Sequence, residues 1–120
     1  MQNQTIGSIV IGSTNPQRLR EWYWQLFSPD ETADGPLQLG SVALFIEDRT
    51  DVGPTTLEPG RIIVNVHVDD ITATARRLNA AGVNWLVPIE NRGQASIGAF
   101  TDPDGNYVQI LQLHPDRQPA

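Results

Sequence analysis

The ten residues at positions 101–110, with the sequence TDPDGNYVQI, restrict the fold more than any other part of the chain. Pro103 presets one backbone angle of a turn, Gly105 permits positive φ, and Asp and Asn side chains stabilise turns through hydrogen bonds to nearby backbone groups. The flanking residues 95–101 and 107–113 have the composition of strands. We therefore predict a tight hairpin between two strands at this point.

A calcium-binding loop is the alternative explanation for the acidic residues of this turn, because an EF-hand loop also alternates acidic side chains before a glycine. The spacing does not match. Gly105 comes too early, and Leu113 stands where the bidentate Glu would be required. We assign the acidic residues to the conformation of the turn and not to calcium.

Two successive strand-and-helix patterns precede the hairpin. In the first, alternating residues 6–12 are followed by Asn15, a helix N-cap type, and by Pro16, which is favourable at the first helical position. In the second, residues 62–68 form the strand, Asp69 or Asp70 caps the helix, and Gly82 ends it. Shifting the sequence by 55 positions superposes Asn15 on Asp70, so the pattern indicates two related halves.

The remaining segments complete an α+β fold. Strands are predicted at residues 37–39, 42–47 and 83–87, and residues 48–60 are rich in Gly, Pro and Thr, which favours a loop. We expect one domain of 120 residues, with a first module at about 1–50, a linker at about 48–61, a second module at about 62–113 and a tail at 114–120.

Composition excludes several classes of function. The net charge of −6 and the scattered arginines argue against nucleic acid, whose phosphates require clustered positive charge. No cysteine is available for a disulfide or a thiolate metal site, and no apolar run approaches the roughly 20 residues that cross a bilayer. The sequence has no Gly-x-Ser-x-Gly elbow and no phosphate-binding loop. We expect a cytoplasmic protein that binds neither nucleic acid nor membrane.

Four segments occur in an order that is similar to one known family. They are LREWY at 19–23, VHVDD at 66–70, AAGV at 80–83 and the DPDGN turn at 102–106. Together they resemble the glyoxalase, bleomycin resistance protein and extradiol dioxygenase (vicinal oxygen chelate) superfamily across nearly the whole chain. The resemblance implies two βαβββ-type modules that form a cupped mixed sheet with helices on its convex side, and it implies a homodimer.

Catalytic members of this superfamily hold a divalent metal with ligands from the first and last strands of each module. The resemblance places these positions at Ser8, near Glu47, at Ile63 and at Gln109. Only Glu47 is a strong metal ligand, whereas a divalent site needs three or more good donors. We therefore expect neither a metal nor another cofactor.

Strand alternation predicts which side chains share the face that is not covered by helices. The helices are expected to cover the strand face that carries Ile9, Leu44, Val66 and Ile110. The opposite face then carries mostly apolar side chains with a few hydrogen-bonding groups, as is usual for small-molecule pockets. The predicted ligand-binding residues are Ser8, Val10, Phe45, Glu47, Ile63, Asn65, His67, Tyr107, Gln109 and Leu111.

Three functions remain open. The leading hypothesis is a metal-free protein that sequesters or senses a small apolar or aromatic molecule. The first alternative is a metal-dependent lyase, isomerase or dioxygenase that uses Glu47, His67 and Gln109. A histidine at the end of a strand is more often a hydrogen-bonded rim residue, and Glu47 can equally be a solvated strand end. The second alternative is a dimeric interaction module without a ligand.

Overall fold

The computed structural model describes residues 3–32 and 34–114. The chain divides into two compact units, Met1–Pro54 and Thr55–Ala120. The first contains β1 (Ser8–Ser13), α1 (Pro16–Phe27), β2 (Leu37–Leu39) and β3 (Val42–Asp48). The second contains β4 (Val64–His67), α2 (Ile71–Ala81), β5 (Asn84–Asn91), β6 (Ala95–Thr101) and β7 (Tyr107–Leu113).

The first unit has a three-stranded mixed sheet in the order β1-β3-β2. β1 is parallel to β3 and β2 is antiparallel to it. α1 begins as predicted, because the Asn15 side chain accepts a hydrogen bond from the Arg18 amide at 3.3 Å and Pro16 follows. α1 packs against β1 and β3, and buries Leu19, Tyr23, Trp24 and Leu26.

The second unit has a four-stranded mixed sheet in the order β4-β7-β6-β5. β4 is parallel to β7, whereas β6 is antiparallel to both of its neighbours. The Asp70 side chain caps α2 by accepting from the Ala73 amide at 3.1 Å, and Gly82 ends α2 with a φ of 77°. The predicted correspondence of Asn15 and Asp70 as helix caps is therefore confirmed.

The predicted hairpin joins β6 to β7. Asp102 is only 4% exposed, and its carboxylate accepts hydrogen bonds from the Asp104 amide, the Asn106 amide and the Asn106 side chain, each at 2.9 Å. Gly105 has a φ of 86°, a backbone conformation that residues with a Cβ atom rarely adopt. The Asp102 carboxylate thus stabilises the turn itself, in agreement with the assignment made from the sequence.

The α+β class with two mixed sheets is confirmed, and the differences concern strand length. β1 begins at Ser8 rather than Ile6, and β4 spans four residues rather than the predicted seven at 62–68. β5 extends to Asn91 and includes Pro88, with register shifts on both sides of Val87. An edge strand tolerates proline because no neighbouring strand requires the missing N–H. A prediction that treats every proline as the end of a strand therefore ends such a strand too early.

Within the described residues, no helix has the length and apolar character that crossing a lipid bilayer requires.

Candidate functional site

Each sheet has a buried face and a more exposed face, as strand alternation predicts. On the buried faces Leu44 is 2% exposed, and Phe100, Val108 and Ile110 are fully buried. We call the opposite face of the first sheet the first open face, and it carries Ser8, Val10, Gly12, Ala43, Phe45 and Glu47. The second open face carries Asn65, His67, Ile97, Ala99, Thr101, Tyr107, Gln109 and Leu111.

An exposed apolar pair occupies the middle of the first open face. Val10 and Phe45 are register partners on β1 and β3, and they are 51% and 42% exposed. Ser8 pairs with Ala43 at one end of this face, and Gly12 pairs with Glu47 at the other. The first unit therefore presents an accessible aromatic ring, with the polar side chains of Ser8 and Glu47 two residues away along the strands.

Arg49 covers the end of the first open face at Gly12. A Cβ atom placed on Gly12 would lie 2.7 Å from Arg49 Cδ, so the aliphatic part of Arg49 occupies the space that a side chain would need. Arg49 Nε and Nη2 donate to the two carboxylate oxygens of Asp51 at 2.8 and 2.6 Å. Arg49 Nη1 also donates to Glu47 Oε1 at 3.4 Å. One arginine is thus held by two carboxylates.

The ion pair changes the proton affinity of both partners. Hydrogen bonds from Arg49, assisted by its charge, lower the pKa of Asp51 below its ordinary value, against a smaller effect of desolvation. The same hydrogen bonds and the charge of Asp51 raise the pKa of Arg49, with Glu47 adding to the effect. Both groups remain charged at neutral pH.

The second open face is organised in rows across the sheet. Asn65 on β4 is the register partner of Gln109 on β7, and Gln109 in turn is paired with Ala99 on β6. One row further, His67 is paired with Leu111, and Leu111 with Ile97. Two side-chain amides and an imidazole therefore lie beside small and apolar side chains.

The polar side chains of the second open face are not engaged by the protein. Within the part of the chain that the structure describes, Asn65, His67, Tyr107 and Gln109 form no side-chain hydrogen bond or ion pair. Amides elsewhere in this unit are engaged: Gln112 Oε1 accepts from the Ile71 amide at 2.8 Å, and Asn79 Oδ1 accepts from Trp85 Nε1 at 2.7 Å. The hydrogen-bonding capacity of the second open face is available to another molecule.

Tyr107 lies against the segment that precedes β4. A Cβ atom placed on Gly60 would lie 3.7 Å from Tyr107 Cε2, which is ordinary van der Waals contact. The same segment is tied to the hairpin by a hydrogen bond from the Thr56 amide to the Asp104 carbonyl at 3.0 Å. The segment around Gly60 thus lies close to the tyrosine ring at one end of the second open face.

The structure places the sequence-predicted site residues in two groups. Ser8, Val10, Phe45 and Glu47 share the first open face. Asn65, His67, Tyr107, Gln109 and Leu111 share the second open face. Ile63 lies just before β4, where it is 41% exposed. The two residues considered for catalysis belong to different units, Glu47 to the first and His67 to the second.

The residues at the positions of the superfamily's metal ligands do not fit a divalent cation. Glu47 Oε1 is bonded to Arg49, Ile63 has no donor atom, and Ser8 and Gln109 are neutral. Among residues 3–32 and 34–114, no group of three or more His, Asp or Glu side chains is placed to hold a metal ion.

Sequence reasoning missed Gly12, Arg49 and Asp51, which shape one end of the first open face. The detectable signal was the position of Arg49 two residues after Glu47, which continues the alternation of β3 beyond the end of the strand. It also missed the contact between Ser96 Oγ and His114 Nε2 at 2.7 Å, because the tail was expected to begin at His114.

Comparison with known proteins agrees with this architecture. The family model described as "Glyoxalase/Bleomycin resistance protein/Dioxygenase superfamily" matches residues 5–110. The chain belongs to this superfamily. The resemblance noted in the four sequence segments is thereby confirmed, and so is the glyoxalase-like α+β fold.

One relative carries the name of an enzyme. A lactoylglutathione lyase of Pseudomonas aeruginosa is 38% identical over 45 residues, which are 38% of this chain and 25% of the lyase. The match thus spans a quarter of the length of that relative.

Solved structures of the superfamily resemble the chain over most of its length. TnmS3 of Streptomyces sp. CB03234, described as an antibiotic binding protein, has a TM-score of 0.71 and 22% identity, with 95% of this chain and 99% of TnmS3 covered. A glyoxalase/dioxygenase from Nostoc punctiforme has a TM-score of 0.74 and 12% identity, with 92% of each chain covered. At these identities the likeness concerns the fold.

Proposed function

We propose that this superfamily member binds a small, largely apolar or aromatic molecule on its open sheet faces and does so without a metal. The observation that carries the proposal is the set of unengaged polar side chains on the second open face, Asn65, His67, Tyr107 and Gln109, next to apolar neighbours. A face with a few free hydrogen-bonding groups among apolar side chains is typical of small-molecule sites.

The chemistry of the two open faces supports an aromatic ligand. On the first open face, Phe45 and Val10 offer exposed apolar surface for stacking. On the second open face, taken by itself, the amides of Asn65 and Gln109 each offer a donor and an acceptor to ring substituents. The description of TnmS3 as an antibiotic binding protein supports a small-molecule ligand. The residues predicted from the sequence on each open face remain our proposal for the ligand contacts of that face.

The expected affinity is moderate. Burying about 300 Å² of apolar ligand surface contributes roughly 7 kcal/mol before association costs of several kcal/mol. Each hydrogen bond to Asn65 or Gln109 adds about 1 kcal/mol. A dissociation constant in the micromolar to millimolar range therefore follows for a ligand that makes both kinds of contact.

The test is an NMR titration with neutral planar compounds that carry a carbonyl group, such as coumarin, followed through the side-chain amide resonances. Those of Asn65 and Gln109 should shift saturably. Gln94 is the control, because it lies in the β5–β6 turn of the same unit and its side chain is exposed. Gln109→Leu should weaken binding several-fold, and Gln94→Leu should not. If no compound shifts Asn65 or Gln109 saturably, the proposal is wrong.

A metal-dependent lyase is the second candidate, and the match to the lactoylglutathione lyase favours it. Metal analysis of protein purified without chelator distinguishes the two. Stoichiometric Ni, Zn, Fe or Mn would favour the enzyme. Protein free of metal, with a melting temperature unaffected by added metal, would favour the binding protein.

A further inference from the structure

Resting on the proposed function, we infer that Asp51 makes the first open face selective against anionic ligands by engaging Arg49. Asp51 and Glu47 together place two negative charges around the one positive charge of Arg49. The preferred ligand is therefore neutral or cationic, and Asp51 sets this preference.

The position of Arg49 beside the apolar pair is the first step. Gly12 is two residues after Val10 on β1, so the two positions project from the same face, and Arg49 lies over Gly12. Successive positions on one strand face are about 7 Å apart. A ring stacked on Phe45 therefore brings its substituents within reach of the Arg49 guanidinium.

The charge at Arg49 is the second step. An unpaired arginine at this place would attract a carboxylate, sulfonate or phosphate on the ligand, since its planar guanidinium binds such groups in bidentate geometry. Here Asp51 already occupies the Nε and Nη2 side of the guanidinium, and Glu47 contacts Nη1. The three side chains carry a net negative charge, so an anionic substituent is repelled.

The chain as a whole is negatively charged, and in the first unit Arg20 donates to the Ile46 carbonyl at 3.3 Å. The sequence contains no lysine among its eight basic residues, and its net charge is −6. Near the other sheet, Arg61 is paired with Glu58 at 2.7 Å and Arg92 with Glu90 at 3.0 Å. Asp51 makes two contacts with Arg49 that are shorter than the one from Glu47, so removing Asp51 should free the guanidinium to accept an anion.

Two dyes with the same ring system test the inference. N-phenyl-1-naphthylamine is uncharged, and 1-anilinonaphthalene-8-sulfonate adds a sulfonate. In fluorescence titrations at low ionic strength, the wild-type protein should bind the uncharged dye at least five-fold more tightly than the sulfonate dye. Asp51→Asn should raise affinity for the sulfonate about five-fold, the factor that one unit charge at 4 Å produces in water, and should leave the uncharged dye unaffected.

Two further variants separate a local effect from net charge. Asp30→Asn removes one negative charge in the exposed turn after α1 and should change neither affinity. Arg49→Gln combined with Asp51→Asn should abolish the gain. At about 1 M salt, where the Debye length is near 3 Å, the gain should also disappear.

The outcomes distinguish this inference from the proposed function. If the wild-type protein binds both dyes equally, or if Asp30→Asn has the same effect as Asp51→Asn, charge selection by Asp51 is wrong and aromatic binding stands. If the wild-type protein binds neither dye saturably, aromatic binding fails and the inference fails with it. Circular dichroism of each variant confirms that it is folded.

Discussion

At the scale of single residues, the carboxylates of this protein have distinct roles that depend on burial. Asp102 is buried and stabilises a turn, Asp70 caps a helix, and Asp51 is exposed and engages an arginine. The sequence shows the same residue type in each case. The hydrogen-bond partners decide what each carboxylate does.

The first prediction concerns Asp51. Its pKa is lower in the folded protein because Arg49 stabilises the charged form, so the ion pair contributes stability above the ordinary Asp pKa of about 3.9. This contribution is lost as the pH falls through the lowered pKa, and it is small because both groups are exposed. NMR titration of the Asp51 carboxyl should show the lowered pKa. Arg49→Gln should return it to the ordinary value, and Arg92→Gln should not.

The second prediction concerns Asp102. Asp102→Ala removes an acceptor of three hydrogen bonds in a buried turn and should lower the free energy of unfolding by about 3 kcal/mol. Asp30→Ala changes an exposed carboxylate in another turn and should stay within about 0.5 kcal/mol of wild type. Urea unfolding measures both. A loss below about 1 kcal/mol in Asp102→Ala would contradict the role of this carboxylate.

At the scale of elements, local sequence rules predicted α1, α2, β2, β6 and β7 well. Their boundaries coincide with caps and turns, where side-chain hydrogen bonds or proline and glycine conformations act within a few residues. The end of β5 was predicted four residues too early. Its continuation past Pro88 depends on pairing with β6, which is a contact between separate segments.

The third prediction tests a helix cap. Asp70→Ala leaves the Ala73 amide without its acceptor and should destabilise the protein by about 1 kcal/mol. The neighbouring exposed residue provides a matched control, since Asp69→Ala should have little effect if Asp70 is the cap. Thermal unfolding of the two variants decides which aspartate acts, a point that the sequence left open.

The fourth prediction tests close packing of β5 on β6. A Cβ atom on Gly98 would lie 2.6 Å from Ile89 Cδ1 and 2.9 Å from Trp85 Cζ3, and the Trp85 ring is held in edge contact with Phe100. Gly98→Ala should therefore destabilise the protein by about 1 to 3 kcal/mol. Gly7→Ala, where no atom lies within 4 Å, should not. Equal stability of the two variants would contradict the packing.

At the scale of the whole molecule, the last prediction concerns the oligomeric state. Within the described residues, the first sheet has three strands and the second has four. From the resemblance to the superfamily we predict a homodimer. Light scattering should give twice the chain mass of 13.2 kDa, and a constant mass of 13.2 kDa over a wide concentration range would show the prediction to be wrong.

The sequence by itself determined the fold class, the two helices with their caps, the β6–β7 hairpin and the side of each strand on which a residue lies. These features follow from interactions over a few residues and from the two-residue period of strands. Tertiary structure alone decided that Arg49 fills the space above Gly12, that Trp85 and Ile89 pack over Gly98, and that Asn65 lies beside Gln109. Each of these contacts joins different strands or segments of the chain, and only the pairing of strands sets their register.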